Sequence, residues 1–437
     1  VRSSKTGLAS RELALRLVDG AFRLHRAIDE NFESLLQKKG FSSLDQRDRA
    51  FAHALALISL RRKGDIEAVL AKFLKNPLPK SAGAVPAILI TGAAQMFFMR
   101  VPAHAAIDTA VTLAKQDKAA RHFASLINAV LRKLANEPAP EPSPARNTPE
   151  WLWKKWVAAY GEDRAHTIAA SHFEEPPLDI SVKGNPDHWA RELGGVVLPT
   201  GSVRLPSDSD RIEELPGYTQ GEWWIQDAAA ALPAKLLGNV RNRQVLDVCA
   251  APGGKTAQLA AAGAQITAVD ISKSRMTRFK QNMERLKLQP KIQVGDILKF
   301  ERETAYDAVL LDAPCSSTGT IRRHPDLPYV KSLGSIAELS QLQQRLLAHA
   351  AQLVKPEGLL LYCTCSLEPE EGENQIEAFL QEHPEFARSP IKEVDVAGMT
   401  QFITHSGDLR TLPFMPVGPS KGLDGFFASR LVNRGSD

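Results

Sequence analysis

From residue 244 onward the chain settles into a rhythm that leaves few folds open. Five apolar runs, QVLDVCA, QITAVDIS, KIQVGDIL, YDAVLLDAP and GLLLYCTCS, alternate with helical segments at about 254–262, 273–288, 335–354 and 369–382. Strands that alternate with helices predict a parallel sheet covered on both faces. GLDGFFASRLV, near the end, is one more strand candidate. Open parallel sheets bind ligands at the carboxyl ends of their strands. The residues that close each run are therefore the functional candidates.

The chain ahead of this rhythm reads differently. In SRELALRLVDGAFRLHRAI, Leu13, Leu17, Phe22 and Leu24 recur at helical spacing, and similar patterns run on to residue 135. An all-helical bundle is expected there. EPAPEPSPARNTPE, 137–150, has five prolines in fourteen residues and reads as a stiff, extended linker. Residues 151–235 mix a helical WLWKKWVAAYG with short strand candidates, which fits a small α+β domain. The expected division is 1–136, 137–150, 151–238 and 239–437.

Charge separates the same regions. Residues 1–150 hold 23 Lys and Arg against 14 Asp and Glu, a net +9, while the remainder holds 31 against 36, a net −5. A basic helical third points to a polyanionic partner. The N-terminal VRSSKTGLASRELALRL lacks the apolar core of a signal peptide, and AVPAILITGAAQMFFM, 84–99, is too short to span a bilayer and reads as a buried helix. No membrane partner is expected, and the chain reads as cytoplasmic and monomeric.

The turn after the first strand, DVCAAPGGKT, ends like a phosphate-binding P-loop in Gly254, Lys255 and Thr256. That motif needs a glycine five positions before its second glycine, where Cys249 stands, so the nucleoside-triphosphatase reading fails. A turn of Cys249, Ala250, Ala251, Pro252, Gly253 and Gly254 can instead let a cofactor approach the backbone. Asp270 and Asp296 close the next two runs. Carboxylates at successive strand ends suit a ligand with ribose, adenine and a positive centre, the parts of S-adenosylmethionine. Each acid has a plainer alternative as a helix N-cap.

The four cysteines share this rim. Cys249 closes the first run, Cys315 the fourth, and Cys363 and Cys365 the fifth. Zinc sites usually carry pairs at C-x₂₋₄-C, and the one close pair here is C-x-C. Small buried filler suits Cys249 and Cys363, which lie within apolar runs, better than Cys315 and Cys365, which follow them.

Taken in order, DVCAAPGGKT, AVDIS, GD, DAPCSSTGTIRRHPD, TCSLEPEE and DGFFASRL resemble the motifs of bacterial RNA (cytosine-5) methyltransferases. The subgroup they resemble is the small-subunit ribosomal RNA methyltransferase B group (Sun/Fmu), which couples a NusB-like helical domain to the catalytic one. RVPAHAAID and INAVLRK resemble the same group, so the likeness spans about 100 to 430. The fold class it implies is multidomain: an all-α NusB-like bundle, a small α+β domain, then an α/β doubly wound, Rossmann-like methyltransferase domain.

The resemblance also implies roles. The family's nucleophile sits between threonine and serine, which selects Cys365 within Thr364-Cys365-Ser366; Cys363 departs from the family pattern. Asp312 is implied to assist at the base's ring nitrogen, with Lys255 setting its charge, and Cys315 to assist proton release. The implied cofactor is S-adenosylmethionine, bound by residues 249–255, Asp270, Asp296 and Asp312, with ribosomal RNA as partner and no metal. Arg322 and Arg323 are candidates for phosphate contacts. Trp223 and Trp224 read as core residues before base-stacking ones. Two alternatives stay open: a Pro314-Cys315 nucleophile of the DNA-methyltransferase kind, and an RNA-binding assembly factor on an inactive fold.

Overall fold

The computed structural model describes residues 3–207, 211–300, 305–418 and 420–435, so the outermost ends of the expected first and last domains lie outside it. The chain forms two compact units, residues 1–174 with 323–332, and residues 175–322 with 333–437.

The first unit is all helix. Its longer helices are Ser3–Leu24, Ile28–Leu36, Gln46–Arg61, Val85–Phe98, Ala103–Gln116 and Ala124–Leu134. The apolar 84–99 stretch is the buried central helix, with residues 87–95 all inside. Gly92 lets a neighbouring helix close in: a Cβ there would meet Leu131 Cδ1 at 2.9 Å. The proline-rich segment holds a short helix, Pro144–Asn147, and lies against the bundle, because Arg62 donates to the Pro140 carbonyl and Arg146 pairs with Asp65 at 3.0 Å. Helices Glu150–Tyr160 and Glu162–Ser171, read from sequence with the small domain, pack in this unit instead.

Residues 323–332 join this unit from far along the sequence. Ala27, ahead of helix Ile28–Leu36, has no side chain that can cap it, so the Ile28 N–H donates to Asp326 Oδ2 at 2.9 Å. Tyr329 sets its ring edge-on to Phe22 and donates its hydroxyl to the Leu60 carbonyl.

The second unit holds two sheets. Strands β1 (Asp179–Val182), β2 (Val196–Val197), β3 (Val203–Arg204) and β4 (Trp223–Ile225) form an antiparallel sheet in the order β2-β3-β1-β4. The larger sheet uses β5 (Gln244–Val248), β6 (Gln265–Asp270), β7 (Lys291–Val294), β8 (Tyr306–Asp312), β9 (Val354–Thr364), β10 (Phe386–Arg388), β11 (Leu409–Thr411) and, after the hairpin β12 (Pro416–Val417) and β13 (Ser420–Lys421), β14 (Phe426–Asn433). Its order is β10-β14-β9-β8-β5-β6-β7, with β11 paired to β14. The five expected strands, β5 to β9, are parallel. The closing strand candidate inserts antiparallel between β9 and β10, which makes the sheet mixed.

Side chains alternate between the two faces, as strand geometry requires. Val245, Ala308, Leu310, Leu361 and Cys363 enter one core, while Leu246, Val309, Leu311, Leu360 and Tyr362 enter the other. Chain order reverses between β5 and β8, so the crevice at their carboxyl ends is the expected ligand position.

Candidate active site

The turn from β5 to helix Gly254–Ala261 is sharply bent. Cys249 lies in the left-handed region at φ 61°, the Ala251–Pro252 peptide is cis, and Gly253 has φ 109°. Sequence reading assigned Gly253 to ligand approach, and packing gives it a second use. A Cβ there would meet Met283 Cε at 2.9 Å and Phe279 Cδ2 at 3.0 Å, so the missing side chain makes room for a neighbouring helix. The chain is tied back to β6 by two amides: Ala250 N–H donates to the Val269 carbonyl and Ala251 N–H to Asp270 Oδ2.

The strand-end acids meet different surroundings. Asp270 is buried; its Oδ1 accepts from the Ser272 amide at 2.8 Å and from Arg275 Nη2 at 2.9 Å. Its remaining acceptor capacity lies on Oδ2, which has one protein donor. Asp296 is half-buried and caps the short turn Ile297–Lys299, accepting from the Leu298 amide at 3.1 Å, the plainer role weighed above. Asp312 ends β8, and its Oδ2 accepts from Lys255 Nζ at 2.7 Å. Burial works to lower the Lys255 pKa, but Asp312 and the thiols of Cys363 and Cys365 outweigh it, and the amine stays firmly charged.

The four thiols separate by environment. Cys249 is pushed up to about 12, first by burial and then by the nearby carboxylates. Cys363 is fully buried, donates its S–H to Asp312 Oδ1 at 3.5 Å, and is raised by burial and by that carboxylate. Two residues on, the strand has ended, and Cys365 emerges partly exposed. Its Sγ lies 3.5 Å from Cys315 Sγ. Hydrogen bonding from Cys315 lowers Cys365, with Ser317 and the Lys255 charge acting the same way against burial. Cys315 is raised by the same hydrogen bond, by burial and by the Glu371 charge, so it keeps the proton. The two sulfurs therefore differ, Cys365 being the more easily ionised and Cys315 the less, in reach of a lysine–carboxylate pair. Such a site can attack an electrophilic carbon and handle one proton. Among the described residues, no group of three or more His, Cys, Asp or Glu is arranged to hold a metal ion.

Sequence reading missed two features here. Asp247, the charged residue inside the first apolar run, is fully buried beneath the turn; Thr256 donates to its Oδ2, its Oδ1 has no donor, and burial lifts its pKa to about 7. Glu371 is buried behind both thiol loops. Arg322 corrects an expectation: it is 3% exposed and donates to Asp424 Oδ1 and Asp227 Oδ2, both at 2.6 Å, so its guanidinium is committed inside the protein and not offered to phosphates. His324 Nδ1 lies 3.5 Å from Asp29 Oδ2 in the helical unit. Trp223 and Trp224 are buried, as expected of core residues.

Comparison with known proteins fits this geometry. Residues 234–432 match the family described as 16S rRNA methyltransferase RsmB/F, and residues 8–136 match the NusB family. The Ribosomal RNA small subunit methyltransferase B of Sodalis glossinidius is 34% identical over 89% of this chain and 90% of its own. The protein of that name from Klebsiella pneumoniae is 32% identical over 98% and 99%. Among solved structures, PH0851 superposes with a TM-score of 0.76 at 24% identity over 99% of both chains. NSun6 from Pyrococcus horikoshii with SFG gives a TM-score of 0.56 at 18% identity, over 66% of this chain and 99% of that one. The chain belongs to the 16S rRNA methyltransferase RsmB/F family, and is an S-adenosylmethionine-dependent ribosomal RNA methyltransferase.

Proposed function

We propose that the enzyme methylates carbon 5 of a single cytosine in small-subunit ribosomal RNA, through a covalent adduct on Cys365. The observation that carries this reading is the 3.5 Å approach of Cys315 Sγ to Cys365 Sγ beside the Lys255–Asp312 pair. Carbon 5 of cytosine is a poor nucleophile in the aromatic ring. Addition of the Cys365 thiolate to carbon 6 breaks the aromaticity and makes carbon 5 electron-rich. Splitting the reaction in this way is covalent catalysis. S-adenosylmethionine supplies the methyl group as a sulfonium, held by residues 249–255, Asp270 and Asp296.

The chain's other groups handle protons. Asp312, hydrogen-bonded to the Lys255 amine, relays a proton from that pair to the ring nitrogen next to the amino group, where the attack builds negative charge. After methyl transfer the carbon 5 proton passes to a water held at the Cys315 thiol and on to solvent. The electron pair of that C–H bond restores the C5–C6 double bond, and the Cys365 thiolate leaves. The target base has to be unstacked to enter such a rim. The basic helical unit adds phosphate contacts, and the protein works as a cytoplasmic monomer; among the described residues no helix is long and apolar enough to cross a membrane.

Two substitutions test the division of labour, with tritiated cofactor, naked ribosomal RNA and a denaturing gel as readouts. Cys365→Ala is expected to abolish both methyl incorporation and covalent RNA capture. Cys315→Ala is expected to form the adduct and retain it. A covalent adduct in Cys365→Ala, lost in Cys315→Ala, would transfer the nucleophile's role to Pro314-Cys315. Inactivity of both variants without any adduct would sink the mechanism.

A further inference from the structure

Behind the two sulfurs lies a carboxylate that the mechanism above does not use. Glu371 ends the short turn Pro369–Glu371 and is fully buried. Its Oε1 accepts from the backbone N–H of Ser316 at 2.9 Å and from Gln343 Nε2 at 3.1 Å. Its Oε2 accepts from the Ser366 hydroxyl at 2.6 Å and from the Ser316 hydroxyl. The four lone-pair sites of a carboxylate are thus filled by neutral donors. Ser316 follows Cys315 and Ser366 follows Cys365, so one side chain holds the residue behind each sulfur.

The surrounding contacts act in the same direction. Gln343 also donates to the Pro314 carbonyl at 2.8 Å, so the Cys315 loop is held on both flanks. The Gly319 amide donates to the Cys365 carbonyl at 3.0 Å, and the Leu367 amide donates to Thr318 Oγ1 at 3.0 Å. Glycine is required at 319, because a Cβ there would lie 2.0 Å from the Gly425 carbonyl oxygen and 2.9 Å from that of Cys365. A buried, unpaired carboxylate is costly unless its hydrogen bonds are complete. An apolar residue here would serve stability as well only if all four of its donors became apolar with it.

We propose that Glu371 is a positioning residue for methyl transfer, clamping the Cys315 and Cys365 loops so that their sulfurs stay at attack distance from one base. This rests on the two-thiol reading above. The Cys315 thiol is raised first by its hydrogen bond to Cys365 and by burial, and the Glu371 charge adds to both.

The test uses the full-length enzyme carrying Glu371→Ala or Glu371→Gln. Glutamine can keep the geometry: its carbonyl oxygen accepts from the Ser316 amide and Gln343, and its NH₂ donates to the two serine hydroxyls, which rotate to accept. Two readouts run side by side. One is single-turnover methyl transfer to ribosomal RNA, with cofactor affinity measured separately. The other is the rate at which diamide joins Cys315 to Cys365, read by peptide mass; the diazene takes both thiol protons and two electrons, and the S–S bond forms.

Glu371→Ala is expected to slow transfer about 100-fold, the scale of an ångström-level misplacement, with cofactor affinity changed by no more than about twofold. It should slow disulfide closure as well. Glu371→Gln should recover transfer to within about tenfold of the parent. Wild-type rates of both transfer and closure in Glu371→Ala, or a glutamine variant as impaired as the alanine one, would overturn the proposal. If Glu371→Ala does not fold, Ser316→Ala combined with Ser366→Ala removes both hydroxyl donors and carries the same expectations. Cys365→Ala and Cys315→Ala in the same transfer assay report on the two-thiol reading itself. Disulfide closure reports on the clamp whether or not that reading survives.

Discussion

The two units of this protein are built on opposite policies toward charge. The helical unit is filled with aliphatic side chains such as Leu13, Leu55, Ile88, Ile127 and Leu131. Its buried carboxylates are few: Asp65 is paired with Arg62 and Arg146, and Asp326 caps a helix. The catalytic unit instead buries charge throughout. Arg204 forks onto Asp179, Arg322 bridges Asp227 and Asp424, Lys255 meets Asp312, and Asp247, Asp270 and Glu371 lie inside as well. Helices stack into a shell that apolar packing alone can hold. A strand-end rim that gathers two sulfurs, an amine and a carboxylate holds those groups from behind, and the anchors are themselves polar.

That contrast can be broken by experiment. Arg322→Met strips the shared cation from two buried carboxylates and should cost about 3–5 kcal/mol, as removing one partner of a buried ion pair does. Hydrogen exchange on the intact chain should quicken in strands 223–225 and 426–433 and stay unchanged in helix 85–98. Equal quickening in both units would erase the distinction drawn here.

Asp247 sharpens the contrast through pH. Its folded-state pKa, about 7, lies above the ordinary carboxylate value because burial disfavours the charge. Below both values the proton is bound in either state and nothing changes. Between the unfolded value and 7 the unfolded chain ionises first, so stability falls with rising pH, on the order of 1.4 kcal/mol per pH unit. Asp247→Asn keeps an acceptor for Thr256 and should flatten that slope, leaving the variant more stable than its parent at pH 8 when melted across pH 5 to 8. An unchanged slope would remove Asp247 as its source.

The smallest effect belongs to the helical unit. Ile127→Val, at a fully buried site, should cost about 1 kcal/mol, the usual loss for one methylene in a core. That cost should be the same at pH 5 and pH 8 when exchange is read in helices 85–98 and 124–134. A pH-dependent cost would mean that charge shapes this core too.

What was legible in the sequence follows from the length scale of each signal. Strand and helix periodicity is local, so β5 to β9 and the bundle could be read directly, and the thiols' place at the strand ends came with them. The side of the strand end on which a thiol falls is also local: two residues separate Cys363, still inside the pleat, from Cys365, just beyond it. Pairing across the chain is not local. Arg322 looked like a phosphate ligand because Asp227 and Asp424 lie about a hundred residues away on either side. Glu371 was one of several acids in LEPEE, and only the fold brings Ser316 and Gln343 to it. Residues 323–332 fell inside the expected 239–437 domain because nothing in HPDLPYVKS names its seat against Ile28 and Phe22.

That ten-residue excursion has a consequence for how the protein is made. Translation delivers the helical unit's residues 1–174 first, yet the cap for helix Ile28–Leu36 is encoded some 300 codons downstream. At about 5–20 residues per second, the stretch from 174 to 332 takes roughly 8–30 s to emerge. Throughout that interval the nascent bundle stands with one helix start uncapped and the Phe22 ring uncovered on its Tyr329 side. The first-born domain is thus the one that has to wait, and it closes only when the ribosome has read through most of the second.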